Sequence, residues 1–154
     1  GRGGRMKRIT ADEAIKIIDE CEVAGLVHTA FNNAALPGVL CQCCSDCCST
    51  FEPAIQSGRL MELTAPSRYQ ARVKQELCRG CKQCLKRCPF GAIEMVSVAG
   101  SEKPKALVHK EKCLGCGVCV VGCKQQAMTF DLVRPPEFIP PKPEVGRPLA
   151  FSVL

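Results

Sequence analysis

Large aromatic side chains are scarce in this chain. Among 154 residues there are six Phe, one Tyr and no Trp, too few for a core built on stacked rings. Long apolar runs are also missing. None approaches the ~20 residues that a membrane span needs, and no stretch reads as a secretory signal peptide. There is no paired acid–base constellation, nucleotide-binding glycine loop or flavin fingerprint, so the chain alone is expected to catalyse nothing. Glu13, Asp46 and Glu52 are explained by capping and solvation. Lysine and arginine exceed the acids, for a formal charge of +6. They are scattered, with no basic run and no interleaved aromatics, so nucleic acid is not an expected partner.

Cysteine is what the chain has in excess: fourteen residues, about one in eleven. Eight of them fall into two copies of one pattern. The first reads Cys78-Arg-Gly-Cys81-Lys-Gln-Cys84-Leu-Lys-Arg-Cys88-Pro89, and the second Cys113-Leu-Gly-Cys116-Gly-Val-Cys119-Val-Val-Gly-Cys123-Lys124. Both have the form C-x2-C-x2-C-x3-C, the run that holds 4Fe-4S cubanes. Three cysteines at successive i+3 spacings can curl around one cube of iron and sulfide. The fourth sits on a helix that leads away from it and reaches the other cube. The crossing assigns Cys78, Cys81, Cys84 and Cys123 to one cluster, and Cys113, Cys116, Cys119 and Cys88 to a second.

Two other uses of eight cysteines fit less well. A disulfide framework needs an oxidising compartment. A zinc ribbon uses two C-x2-C pairs with a longer spacer between them, not four cysteines packed at 3, 3 and 4. Each cubane with its four thiolates carries about −2 when oxidised, so two would bring the net charge to about +2. The copies form an internal repeat of 35 residues, from Cys78 to Cys113, in which Gly80 matches Gly115 and Ala92 matches Ala127. Glycine suits a backbone that must wrap a cube with positive φ and aim N–H groups at sulfur. One mismatch sets Lys124 where the first copy has Pro89, with no loss of a ligand.

Upstream, Thr10-Ala-Asp-Glu13 predicts a capping box. Ala14, Ile17, Ile18 and Cys21 then share one helical face, and Gly25 supplies a left-handed C-cap. Cys21 reads as a small buried hydrophobe. After Gly25-Leu-Val-His28 and a polar turn comes Cys41-Gln-Cys43-Cys44-Ser-Asp-Cys47-Cys48, five cysteines in eight residues. Cys41, Cys44 and Cys47 repeat the 3, 3 spacing, with Cys43 or Cys48 available to complete a set. A third metal centre, iron–sulfur ahead of zinc, is expected here. A reversible redox pair is the alternative, and His28 is a possible further ligand set against a histidine satisfied in the fold. A short helix capped by Gly58 should follow, and residues 59–67 read as a connector.

Tyr69, Ala71 and Val73 alternate as a strand into the first loop, and Lys82–Arg87 form a helical turn. Ala92–Val96, Ala106–His109 and Ala127–Val133 read as further strands. The tail from Arg134 holds six of the eleven prolines and is expected to be extended. It ends in the apolar Leu149–Leu154, suited to docking on a partner or on its own N-terminal module. The first residue is Gly1, not Met, so the native chain is expected to extend further upstream.

On the strength of all eight ligand positions, the stretch from about Tyr69 to Val133 resembles the bacterial-type dicluster ferredoxin family. The resemblance implies a pseudo-two-fold ferredoxin fold and low-potential one-electron transfer. Thr10-Ala-Asp-Glu-Ala14, Gly25-Leu-Val-His28 and the 41–48 knot are similar to a module that precedes such ferredoxins in some anaerobe iron–sulfur proteins. The fold class expected is α+β. A mainly helical cysteine-rich module (1–66) precedes a dicluster domain (67–133) and an extended proline-rich tail (134–154). The function expected is cytoplasmic electron transfer through two 4Fe-4S clusters for redox protein partners or a catalytic subunit of an anaerobic oxidoreductase. The rivals are a redox- or metal-responsive regulator and a zinc-stabilised binding module.

Overall fold

Thr10 begins the first ordered element as its spacing predicts. In the computed structural model, which describes residues 7–35, 38–141 and 151–153, the Glu13 backbone N–H donates to Thr10 Oγ1 at 3.1 Å. The Glu13 carboxylate accepts from the Thr10 N–H at 2.8 Å. Helix α1, Ala11–Ala24, then runs to Gly25 at φ +85°. Its apolar face is shallower than the periodicity suggests. Ile18 and Cys21 are only half-buried and Ile17 is 45% exposed, so Cys21 is not the buried residue expected.

Helix supplies most of the regular structure of the N-terminal region, as expected, but the region also carries a sheet that the sequence reading lacked. Strand β1, Val27–Phe31, lies between β2, Cys41–Cys43, and β7, Phe151–Val153, in an antiparallel sheet of order β2-β1-β7. Two short helices follow β2: α2, Phe51–Gln56, and α3, Leu60–Leu63. The second of these falls in the presumed connector. Gly58 sits at φ +68° after α2, as expected. Val153 pairs with Thr29 and is 1% exposed, so the chain's apolar end packs on its own N-terminal sheet. Within the described part of the tail, Pro136–Phe138 form a 3-10 turn instead of continuous extended chain. Residues 142–150, with Pro143 and Pro148, lie outside the described residues, as do 1–6, 36–37 and 154.

The remaining elements are β3 (Tyr69–Val73), α4 (Gln83–Arg87), β4 (Ile93–Val96), β5 (Lys105–Val108), α5 (Val118–Val121) and β6 (Met128–Leu132). The 35-residue repeat places β3 on β5, α4 on α5 and β4 on β6. It also exchanges the two antiparallel pairings, β3 with β6 and β4 with β5. The backbone repeats as closely as the elements do. Positive φ recurs at Gly80 and Gly115, at Lys82 and Gly117, and at Gly91 and Gln126.

One core lies between these hairpins. Ala71, Ala92, Ala106, Ile93 and Met128 surround Cys84, Cys113 and Cys119. The alanines recur in register, Ala71 with Ala106 and Ala92 with Ala127, and all four are buried. Side chains this small keep the centre apolar without filling it. A second core joins the two halves of the chain. Val27, Phe51 and Val153 from the N-terminal sheet region pack with Phe90, Leu114 and Val118. Arg87 adds a polar seam. Its guanidinium donates to the Glu22 and Val23 carbonyls at the end of α1, at 2.8 and 3.3 Å, and to the Val118 carbonyl at 3.0 Å.

Candidate metal centres

Two tight turns set the thiols of the repeat in place. A Cβ on Gly80 would stand 2.4 Å from the Pro104 carbonyl oxygen. One on Gly115 would stand 2.1 Å from that of Tyr69. Each cysteine loop is therefore pressed against the strand that precedes its partner loop, an approach only glycine permits. Backbone amides also face sulfur: Ala92 N–H lies 3.3 Å from Cys88 Sγ and Ala106 N–H 3.5 Å from Cys78 Sγ. Such contacts stabilise thiolate charge and tune a bound cluster.

Electrostatic neighbourhoods sort the eight thiols. Burial pushes Cys84 above the ordinary thiol range, with the charges of Cys78, Cys123 and Cys81 adding to it. Burial likewise pushes Cys116 up to about 12, reinforced by Cys88 and Cys113. Cys119 is raised further, by burial first and then by Cys116, Cys88, Cys113 and, last, Cys84. Cys123 thus stands with the first loop and Cys88 with the second, while Cys84 and Cys119 bring the two groups within reach of each other. Crowded, desolvated thiols are poor hosts for bare negative charge and good hosts for a cationic iron core, which reverses the sign of the local field. The chain's donor chemistry therefore fits 4Fe-4S clusters. None of the fourteen cysteines forms a disulfide.

The 41–48 knot is a separate grouping. Strand pairing sets Val27 opposite Cys43 and Thr29 opposite Cys41 on one face, and His28 opposite Gln42 on the other. All five cysteines, with Thr29 and Phe51, line a cavity of about 440 Å3. His28 does not line it. Its ring hydrogen-bonds the Gln42 side chain and lies 3.8 Å from the Glu22 carboxylate. His28 is therefore placed as a strand-pairing residue and not among the residues that line the knot.

Inside the cavity the thiols form pairs. Cys44 Sγ lies 2.6 Å from Cys47 Sγ. Cys43 bonds Cys48, and Thr29 Oγ1 stands 3.4 Å from Cys43 Sγ. Burial raises Cys43 to about 11, with Cys48 and Cys41 adding to it and Thr29 opposing. The bond with Cys44 raises Cys47 to about 11. Burial also acts to raise Cys48, but the Phe51 and Thr50 amides outweigh it and hold that thiol below its ordinary value. A bond from Cys44 holds the Asp46 carboxyl low.

Residues 77–127 match the family model of the 4Fe-4S dicluster domain, and this segment is a dicluster domain that takes two 4Fe-4S clusters. Among curated proteins the chain is 43% identical over 56 residues to "Translation initiation factor RLI1" of Chaetomium thermophilum. It is 35% identical over 55 residues to "Protein Pixie" of Drosophila melanogaster and 33% over 55 to "ABC transporter E family member 1" of Arabidopsis thaliana. Each match covers 36% of this chain and 9% of the relative. The chain thus spans under a tenth of the curated relatives it matches.

Proposed function

We propose that the chain moves single electrons through two 4Fe-4S clusters, as a protein, domain or subunit serving an anaerobic oxidoreductase in the cytoplasm, within a larger chain or complex. The ligands in this reading are Cys78, Cys81, Cys84 and Cys123 for one cluster and Cys88, Cys113, Cys116 and Cys119 for the other. The crossed placement of Cys88 and Cys123 among thiols of the opposite loop supports it most directly. A bound cubane supplies one-electron chemistry at a potential the protein sets, within roughly −700 to +450 mV. The chain's part is to hold the ligands, exclude water with Ala71, Ala92, Ala106 and Ile93, and present amides to sulfur. The exchange of elements under the 35-residue repeat supports a pseudo-two-fold ferredoxin arrangement over 67–133, between a cysteine-rich module and a tail.

The curated relatives named for translation initiation share only a domain-sized span with this chain, 9% of their own length, so their role is not carried over to it. A regulatory reading draws on the close Cys44 and Cys47 thiols, with Cys47 exposed. Anaerobic iron and sulfide analysis, with EPR of the dithionite-reduced protein, separates the readings. Two reduced cubane signals and rapid reoxidation by a one-electron acceptor are expected. Zinc with little iron would overturn electron transfer in favour of a zinc-stabilised module.

A further inference from the structure

A cavity of about 440 Å3 walled by five cysteines is far more space than one metal ion occupies. A tetrahedral zinc site needs four sulfurs about 2.3 Å from the ion, hence within roughly 4 Å of one another. Among the described residues, the one set of three or more donor groups gathered within 4.8 Å is Cys44, Asp46 and Cys47. Cys41, Cys43 and Cys48 stand outside it. The eight thiols of the dicluster domain also fall in no such compact set, although that domain takes cubanes. The knot's five thiols as a whole therefore do not converge on one point as a closed single-ion site requires, although, unlike the dicluster thiols, they contribute to one compact donor set.

Its position is as informative as its spread. Cys43 and Cys48 pack against the same apolar core as Cys88 and Cys116. Phe51, wholly buried, lines the knot's cavity, and Phe90 lines a pocket with Cys88, Cys113, Cys116 and Cys119. The two rings meet edge to face, with centroids 5.1 Å apart. An aromatic pair thus links the walls of the two thiol groups within one shared core.

We propose that residues 41–48 form a third iron–sulfur ligand set, with Cys43 and Cys48 among four ligands, seated against the Cys88/Cys113/Cys116/Cys119 set through Phe51 and Phe90. The adjacency rests on the ligand assignment proposed above; the third set itself does not. The test uses the full chain, purified and reconstituted with iron and sulfide without oxygen. Wild type should hold about twelve irons, against about eight for two cubanes alone. Cys43→Ser/Cys48→Ser should lose about a third of the iron and sulfide while the dicluster EPR signals persist. Those signals should also lose the dipolar broadening that the proposal expects of the reduced wild type.

Eight irons in wild type with intact dicluster EPR, whether the knot then holds zinc, a disulfide or free thiols, would overturn this inference alone. Unchanged iron in the double variant would overturn the ligand assignment, and unchanged line shape the adjacency. The wild-type count decides even if the variant does not fold. Fewer than eight irons with no dicluster signal would instead sink the electron-transfer reading.

Discussion

Gly115→Ala tests how tightly the cysteine loop is clamped to its neighbour. At φ +73° an alanine costs about 1–2 kcal/mol from conformation alone. Its Cβ would also stand 2.1 Å from the Tyr69 oxygen, 3.0 Å from the Tyr69 carbonyl carbon and 3.1 Å from Ser67 Cβ. The nearest neighbour is backbone and cannot rotate aside, so β3 must shift and the 2.8 Å bond from Ser67 N–H to the Leu114 carbonyl must stretch. Overpacking of this kind costs about 1–3 kcal/mol more. Gly91→Ala is the matched control. Its φ is +62°, but nothing lies within 4 Å of the new Cβ, and the repeat already tolerates Gln126 at the equivalent position. The collision alone should therefore separate the variants by about 2 kcal/mol, roughly a thirtyfold difference. The assay is the rate at which iron–sulfur absorbance is lost to an iron chelator in mild denaturant under argon, because metal loss makes an equilibrium unfolding energy ill-defined here. If both variants lose iron within threefold of each other, the close approach of loop to strand is not what holds the second cysteine group.

Arg87→Ala removes three charge-assisted bonds that tie α1 to α5. It should cost about 2 kcal/mol, seen as faster amide exchange across residues 11–24 with dicluster iron unchanged; Arg87→Lys should not rescue it. Gln126→Gly relieves a non-glycine residue at φ +52° and should raise the thermal midpoint by the equivalent of up to about 1 kcal/mol. Val153→Ala opens space beneath a side chain that is 1% exposed. It should cost about 2 kcal/mol and sensitise residues 27–31 to proteolysis while the cluster EPR stays intact. Lys124→Pro restores the residue of the first copy and should lower the potential of the neighbouring cluster in a redox titration, as loss of a nearby cation predicts.

What could be read from the sequence was local. The capping box at Thr10, the glycine stop at Gly25 and the strands flanking each cysteine loop are decided by residues within a few positions of one another. The β2-β1-β7 sheet was not readable in this way. Val27–Phe31 lacks a clean alternation, and one of its partners is at the far end of the chain, so only tertiary pairing marks it as a strand. The positive φ at Lys82 and Gln126 escaped notice because glycine is the usual signal for it; aligning the two copies would have exposed both, since Gly117 and Gly91 hold the matching places. The five cysteines of the knot announced a site by density alone. Spacing suggested Cys41, Cys44 and Cys47 as its frame, whereas the structure pairs Cys44 with Cys47 and Cys43 with Cys48. A strand followed by a turn does not keep the sulfur order of a free loop.

Exposure along the thiol groups has a direction. Cys81 in the first group and Cys47 in the knot are exposed. Between them lie Cys84 and Cys119, both buried, with Cys84 close enough to add to the rise at Cys119, then Cys88 and Cys116, then the Phe90–Phe51 contact, then Cys43 and Cys48. On the electron-transfer reading proposed above, exposed ends with a more buried middle would suit transfer between two partners better than storage for one, because only the ends need to be approached. On that arrangement the group holding Cys88 is central, and its ligands should be the least accessible to chelators. Chelation followed by EPR should therefore remove the Cys81 group's signal before that of the Cys88 group; the reverse order would contradict the arrangement.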